Sequence, residues 1–248
     1  MTAETKKWWE SSSKDYQEEC KIPIDIHYGP GSPNESYYKL LGNLKGKKIL
    51  EIGCGGAQCG VAMAKQGAKV IGIDISEEQL KFAKELSKKN KVNIQFYQGD
   101  IKKLSQIKSN SQDIVFTAFA LHYVADLHSC FKEVYRVLKK NGLFVLSLGH
   151  PMYGRINSKT LRVEDSYFNI GKGTFIFSDP TKKFVYYRRN IGELHNTLVD
   201  AGFFVERIIE PDSRKRYSYD PWYGLWDYTP ELMKMVPATI IFKARKKI

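Results

Sequence analysis

The chain has 248 residues, 42% of them hydrophobic, and a formal net charge of +12. That length suits one large α/β core, and no Gly/Ser or Pro linker, repeat or low-complexity tract marks off a second compact domain. No apolar run approaches the roughly 20 residues that cross a bilayer, and Met1–Glu19 lacks the apolar middle of a secretory signal.

A soluble, cytoplasmic protein with no membrane partner is therefore expected. Cys20, Cys54, Cys59 and Cys130 form no C-x-x-C pair and no zinc pattern, so they read as free thiols in a reducing compartment. No metal-ligand cluster is evident. The positive charge admits an anionic partner, nucleic acid above all. Against this, the basic residues are dispersed: Lys47, Lys88, Lys102, Lys139 and Lys243 with their neighbours occupy helix ends and turns along the whole chain.

The first 45 residues read as helical with breaks. Ser32-Pro33-Asn34-Glu35 has the form of a capping box, with Pro at the first helical position, before a helix whose apolar face is Tyr37, Leu40, Leu41 and Leu44. From Lys47 strands and helices alternate. Strands are predicted at Lys47–Ile52, Lys69–Asp74, Val92–Tyr97 and Asp113–Ala118, with helices at Gln58–Gln66 and after the Ser76-Glu77-Glu78-Gln79 capping box. Asp126 caps a periodic helix over Leu127–Leu138, with Lys139 and Lys140 at its negative end and Asn141-Gly142 closing it. A fifth strand follows at Leu143–Leu148. Pro151–Asn190 has a weaker pattern. Ile191, Leu194 and Leu198 mark a helix, Phe203–Ile209 a sixth strand, Glu210–Val236 a loop, and Ala238–Ala244 a last strand. Such alternation gives parallel strands with ligands bound at their carboxyl ends.

The stretch Glu51-Ile52-Gly53-Cys54-Gly55-Gly56-Ala57-Gln58 decides what the ligand is. Glycines let backbone approach a ligand closely and adopt positive φ, and a helix N-terminus favours negative charge. A phosphate-binding P-loop would end in Gly-Lys-Ser/Thr, which is missing. A dinucleotide loop would need a third glycine where Gln58 stands. The stretch resembles instead the first motif of the class I S-adenosylmethionine-dependent methyltransferases, in particular the small-molecule branch called type 11. Ala57 replaces the last glycine, a departure that the neighbouring Gly56 is expected to make tolerable. Cys54 in this loop reads as a small filler, with a reactive role as the alternative. The resemblance continues through Val70–Ser76, Gln98-Gly99-Asp100-Ile101, Phe116–Tyr123 and Arg136–Gly142, in order, over about residues 47–150.

The resemblance implies a doubly wound, seven-stranded, mostly parallel α/β sheet of order 3-2-1-4-5-7-6, with the last strand antiparallel between the fifth and sixth. It implies one methyltransferase domain over 1–248. An N-terminal helical cap would span 1–45, a cofactor-binding half 47–150, and a substrate-side half 151–248 with insertions at 151–190 and 210–236. S-adenosyl-L-methionine would bind Glu51, Gly53, Cys54, Gly55, Asp74, Ile75, Gln79, Asp100, Ile101, Phe119 and Tyr28, and leave as S-adenosyl-L-homocysteine. Asp74 would grip both ribose hydroxyls, since a carboxylate accepts two hydrogen bonds at once; its other reading is a helix cap. Asp100 and Ile101 would meet the adenine.

Transfer is an in-line displacement, helped by positioning and in some cases by a base. His150 and His122, at two strand ends, are the candidate bases. Trp8, Trp9, Tyr16, Tyr28 and Gly29 could form a lid or pack the core. The aromatic segment Tyr217–Tyr228 could wall an acceptor pocket, stack bases beside Arg214, Lys215 and Arg216, or pack a loop or subunit contact. The leading expectation is methyl transfer to a small molecule. The alternatives are an RNA (tRNA) methyltransferase, supported by charge, and a non-catalytic S-adenosylmethionine-binding protein. The sequence gives no oligomeric state.

Overall fold

A computed structural model describes residues 3–176, 183–215, 220–225 and 227–247. Five parallel strands come first: β1 (Lys48–Ile52), β2 (Lys69–Asp74), β3 (Ile94–Gln98), β4 (Gln112–Ala118) and β5 (Leu138–Gly149). A separate antiparallel hairpin follows, β6 (Gly171–Ile176) and β7 (Lys183–Arg188). β8 (Phe203–Ile209) and β9 (Thr239–Lys246) return to the main sheet, whose order is β3-β2-β1-β4-β5-β9-β8. β9 runs antiparallel to both β5 and β8. Without the hairpin this is the expected 3-2-1-4-5-7-6 order.

The helices are α1 (Ala3–Cys20), α2 (Glu35–Tyr38), α3 (Gln58–Lys65), α4 (Glu77–Lys89), α5 (Leu127–Val137), α6 (Ile191–Asp200) and α7 (Pro230–Met235). None of the described helices is long and apolar enough to cross a membrane. The two-residue period of the strands divides the core. Leu50, Ile52, Val115, Phe144, Leu146 and Phe242 face α5 and α6, against Phe131, Val134 and Leu198. Ile49, Ile114, Phe116, Val145 and Ile241 face the other way, against Leu40, Leu41, Val61 and Met63. Short turns then gather at the carboxyl ends of β1, β2, β4 and β5, where ligands bind in such sheets.

Several local expectations are corrected. α2 is a single turn. Ser32 Oγ donates to the Pro33 carbonyl instead of capping, and Asn34 holds the cap position without a capping bond, its side-chain amide donating to Asp25 instead. The Glu35 carboxylate takes the Leu40 and Leu41 amides (3.0 and 2.6 Å), which a continuing helix would have bonded to its own carbonyls. Lys39, at φ +50, ends the turn. α5 stops at Val137, because Leu138 is already extended and paired with Gln112 of β4. Lys139 and Lys140 therefore lie on β5; Lys139 pairs with Asp113 at 2.7 Å and Arg136 occupies the last helical turn. The weakly patterned 151–190 contains the β6–β7 hairpin, and the loop 210–236 contains α7. The signals of α7 are Thr229, which accepts from the Leu232 amide, and Pro230 at the helix start.

Candidate functional site

β1 delivers Glu51 and Ile52 to a turn closed by Gly53 and Cys54, whose amides both donate to the Ile73 carbonyl of β2 (2.7 and 3.0 Å). The chain then passes through positive φ at Gly53 (+66), Gly55 (+51) and Ala57 (+60) before α3. Ala57 itself, not Gly56, bears the consequence of the missing glycine. A side chain in the left-handed region costs about 1–2 kcal/mol. Ala57→Gly is therefore expected to stabilise the protein by about 1 kcal/mol, after the added freedom of the unfolded chain is deducted. Thermal melts should rise by about 2–4 °C.

At the end of β2 the Asp74 carboxylate accepts from the Gly55 amide through one oxygen and the Ser76 amide through the other, each at 2.9 Å. Burial pushes this carboxyl up, while the Ser76 and Gly55 amides pull it back. Ser76 caps α4 by accepting from the Gln79 amide at 3.2 Å. Gln79 points its side chain back over the loop. Its Oε1 accepts from Gln17 of α1 (2.8 Å), and Gln17 Oε1 accepts from Gln58 (2.7 Å). Glu10, about two turns earlier in α1, accepts from the Glu77 and Glu78 amides at the start of α4 (2.9 and 3.3 Å).

These residues open onto a cavity of about 400 Å³. Glu51, Gly53, Cys54, Gly55, Asp74, Ile75, Gln79 and Phe119 all line it, as do His122 and His150. Two of its polar atoms, Glu51 Oε2 and Gln79 Nε2, are buried with no hydrogen-bond partner among the described residues. Buried polar groups are normally satisfied, so orphans beside a glycine loop fit a ligand that supplies partners. At two glycines around the groove there is no room for a side chain. A Cβ on Gly53 would fall far inside contact of the Ala120 methyl, and one on Gly29 would strike the Phe119 ring. Phe119 holds φ +60 at the end of β4, with its amide bonded to Ser147.

Tyr28, Asp100 and Ile101 are not on this wall. Adjacent residues of an extended chain face opposite ways, and here His27 takes the cavity side. Tyr28 is buried against Phe116, its hydroxyl donating to Glu35. Asp100 heads the turn after β3, which is tied to β2 by the Gly99 amide on the Asp74 carbonyl (2.9 Å), and Ile101 is fully buried in the core. Cys54 stays a thiol, because burial, then Asp74 and Glu51, push it well up.

Neither histidine is set up as a base. Met152 donates its amide to His150 Nδ1 at 3.2 Å, which puts the ring proton on Nε2, and Nε2 lies 2.8 Å from Glu210. Both nitrogens are engaged, so no lone pair is left to take a proton. His122 has a buried Nδ1 with no partner among the described residues, but burial, then the Arg189 charge, lower its pKa to about 3. It stays neutral and binds protons too weakly to draw one from a hydroxyl.

Sequence reasoning missed much of the far wall. Phe184, Tyr186 and Arg188 of β7 line it, with Tyr123, Trp8 and Trp9. Trp8 meets Phe184 edge-on at 4.9 Å and Trp9 meets Tyr123 at 5.7 Å. The alternating Phe184-Val185-Tyr186 was the available signal for a strand there. Of the aromatic segment 217–228, Trp222 and Tyr228 line the cavity, Tyr223 is exposed, and Tyr217, Tyr219 and Trp226 lie outside the described residues, as does Arg216. Arg214 pairs with Asp212 at 2.8 Å.

Comparison with known proteins agrees with this geometry. The profile of a family described as a methyltransferase domain matches residues 43–184. An uncharacterized protein of Haemophilus influenzae is 32% identical over 212 residues, 79% of this chain and 82% of the relative. The ubiquinone biosynthesis O-methyltransferase of Acinetobacter baylyi is 30% identical over 152 residues, 61% of this chain and 58% of that enzyme. Among solved structures, an S-adenosylmethionine-dependent methyltransferase of Mesorhizobium loti superposes with a TM-score of 0.69 at 25% identity, covering 85% of this chain and 95% of the other. The chain belongs to the methyltransferase-domain family and is a class I S-adenosylmethionine-dependent methyltransferase.

Proposed function

We propose that the enzyme methylates a small molecule held in the aromatic half of the cavity. The observation that carries this reading is the wall itself. The cavity as a whole is concave and about 400 Å³, and Trp8, Trp9, Tyr123, Phe184, Tyr186 and Trp222 give this part of it an aromatic lining, as small-molecule sites have. The similarity to an O-methyltransferase of ubiquinone biosynthesis supports the same reading.

S-adenosylmethionine supplies a methyl group on a sulfonium leaving group. Around it, Asp74 has a lone pair left on each oxygen after the two amides and would take the ribose hydroxyls. Gly53 and Gly55 let the backbone pass close by, and Cys54, Ile75 and Phe119 fill the sides. Glu51 Oε2 and Gln79 Nε2 would find their partners on the amino-acid portion and the ribose. The aromatic wall excludes water and aligns the acceptor, and alignment supplies much of the rate. Neither His150 nor His122 is assigned proton transfer; His122 would accept a hydrogen bond. α1 covers the site as a lid, through Gln17 and Glu10.

Glu51 carries a pH signature. Burial, reinforced by the Asp74 charge, raises its carboxyl from 4.5 to about 8. The folded, ligand-free protein thus keeps a proton that the unfolded chain has released. This contribution to stability is complete below pH 4.5 and is lost as pH rises through about 8. A cation bound beside Glu51 reverses the preference. Binding of S-adenosylmethionine near pH 7 should release up to about one proton, visible as a dependence of calorimetric heat on buffer ionisation. Glu51→Gln should abolish that dependence.

The acceptor class is tested by transfer of labelled methyl groups into host extract, split into RNA, protein and small-molecule fractions, with Asp74→Ala as control. Label in the small-molecule fraction, lost in the variant, supports the proposal. Nuclease-sensitive label would replace it with the RNA reading, and cofactor binding without label would favour a non-catalytic binder.

A further inference from the structure

Part of the cavity wall is built by β7 of the β6–β7 hairpin. The two-residue period of β7 sets Phe184, Tyr186 and Arg188 on one face, and all three line the cavity. Phe184 packs edge-on against Trp8 (4.9 Å) and against Tyr123 (5.0 Å), and these rings form one aromatic stretch of the wall. At its rim stand two guanidiniums and one carboxylate. Arg188 Nη1 donates to Asp165 Oδ2 at 2.7 Å, and Arg155 Nη1 donates to the same oxygen. Arg155 is buried and also lines the cavity. Its second nitrogen donates to the Asn169 carbonyl at 2.6 Å. Arg188 has no such second partner among the described residues: its Nε is buried and bonded to nothing.

Two consequences follow from charge and hydrogen bonding. Asp165 is shared by two arginines, so the three groups together hold one positive charge in excess. A buried donor normally has an acceptor, and the Nε/Nη2 edge of a guanidinium matches both oxygens of a carboxylate. The corner thus lacks an anion beside an aromatic stretch of the cavity wall. An aromatic cage alone would also suit a cationic amine, but two guanidiniums oppose that guest.

We propose that Arg188 anchors the methyl acceptor by a carboxylate, and that the acceptor is a flat, aromatic carboxylic acid lying against the cavity side of Phe184, Tyr186 and Trp8. A small turn of the guanidinium head presents its Nε/Nη2 edge to the ligand while Asp165 keeps hold of Nη1. Arg155, already satisfied, holds Asp165 in place and adds charge. This assignment rests on the small-molecule reading above.

The test titrates the full chain, saturated with S-adenosylhomocysteine, with 4-hydroxybenzoate, phenol and tyramine, following tryptophan fluorescence and heat. The carboxylate should bind about tenfold more tightly than phenol, and the amine most weakly. Arg188→Gln should erase the preference for the carboxylate, and Arg188→Lys, which keeps the charge but loses the fork, should retain part of it. Unchanged S-adenosylhomocysteine affinity in both variants shows that the fold is intact. Equal binding of phenol and 4-hydroxybenzoate, or a preference that survives Arg188→Gln, overturns the anchor while leaving the small-molecule reading standing. Failure of all three probes to bind the S-adenosylhomocysteine complex, together with methyl label found only in RNA, overturns both.

Discussion

Replacing Asp74 by Asn is expected to weaken S-adenosylhomocysteine binding by about 100-fold, roughly 3 kcal/mol. The side chain keeps its shape but exchanges one carboxylate oxygen for an amide donor. Each oxygen of Asp74 now accepts a backbone amide, from Gly55 or from Ser76. In the variant one of those amides faces another N–H group, and the loop and the start of α4 lose their common acceptor. The paired acceptance of two ribose hydroxyls, the role proposed for Asp74, would be lost as well. Isothermal titration separates this reading from its rival. If Asp74 only caps the turn before Ser76, the melting temperature falls and affinity does not.

Gly53→Ala should cost more in stability than any other single methyl in the loop, about 2–5 kcal/mol. Two penalties combine here. A side chain at φ +66 is strained by about 1–2 kcal/mol. The new methyl also collides with the Ala120 methyl, and overpacking of this kind costs about 1–3 kcal/mol. Neither partner can rotate away, because each is fixed to backbone at the end of a central strand. Thermal melts should drop by about 5–15 °C. Cofactor affinity should fall with them, since the collision is relieved only by moving the loop off β4. Ala120→Gly in the same chain removes the collision and should recover part of the loss, leaving the strain.

The sheet was legible because its signals are local. β2 and β8 run over the predicted residues, Lys69–Asp74 and Phe203–Ile209, because apolar runs between turn residues mark buried strands without ambiguity. The cofactor loop was legible for a related reason: glycine at fixed offsets from an acid states a backbone requirement directly. Where a distant partner competes for a local signal, the reading failed. Leu138 continues the helical period of α5 but is captured by Gln112 of β4. Glu35 has the position of a capping residue but spends its carboxylate on Leu40, Leu41 and Tyr28. The acceptor wall shows the limit most plainly. Trp8, Phe184 and Trp222 come from opposite ends of the chain, and no spacing within any one of those segments announces that they share a cavity.

The seating of α1 has a consequence for turnover. Of its 18 residues, only Thr5, Trp8, Ser12, Ser13 and Cys20 are buried, and it is held to the body by Trp8 and Trp9 against Phe184 and Tyr123 and by the polar ties of Glu10 and Gln17. Polar ties exchange readily with water, so this helix belongs to the part of the molecule that opens at least cost. Its amide protons should exchange with solvent well before those of β1 and β4. If α1 covers the site as proposed, a departing product waits for a helix to lift and not for the sheet to loosen, and the pace of the catalytic cycle is set at the amino-terminal edge, far in sequence from the glycine loop.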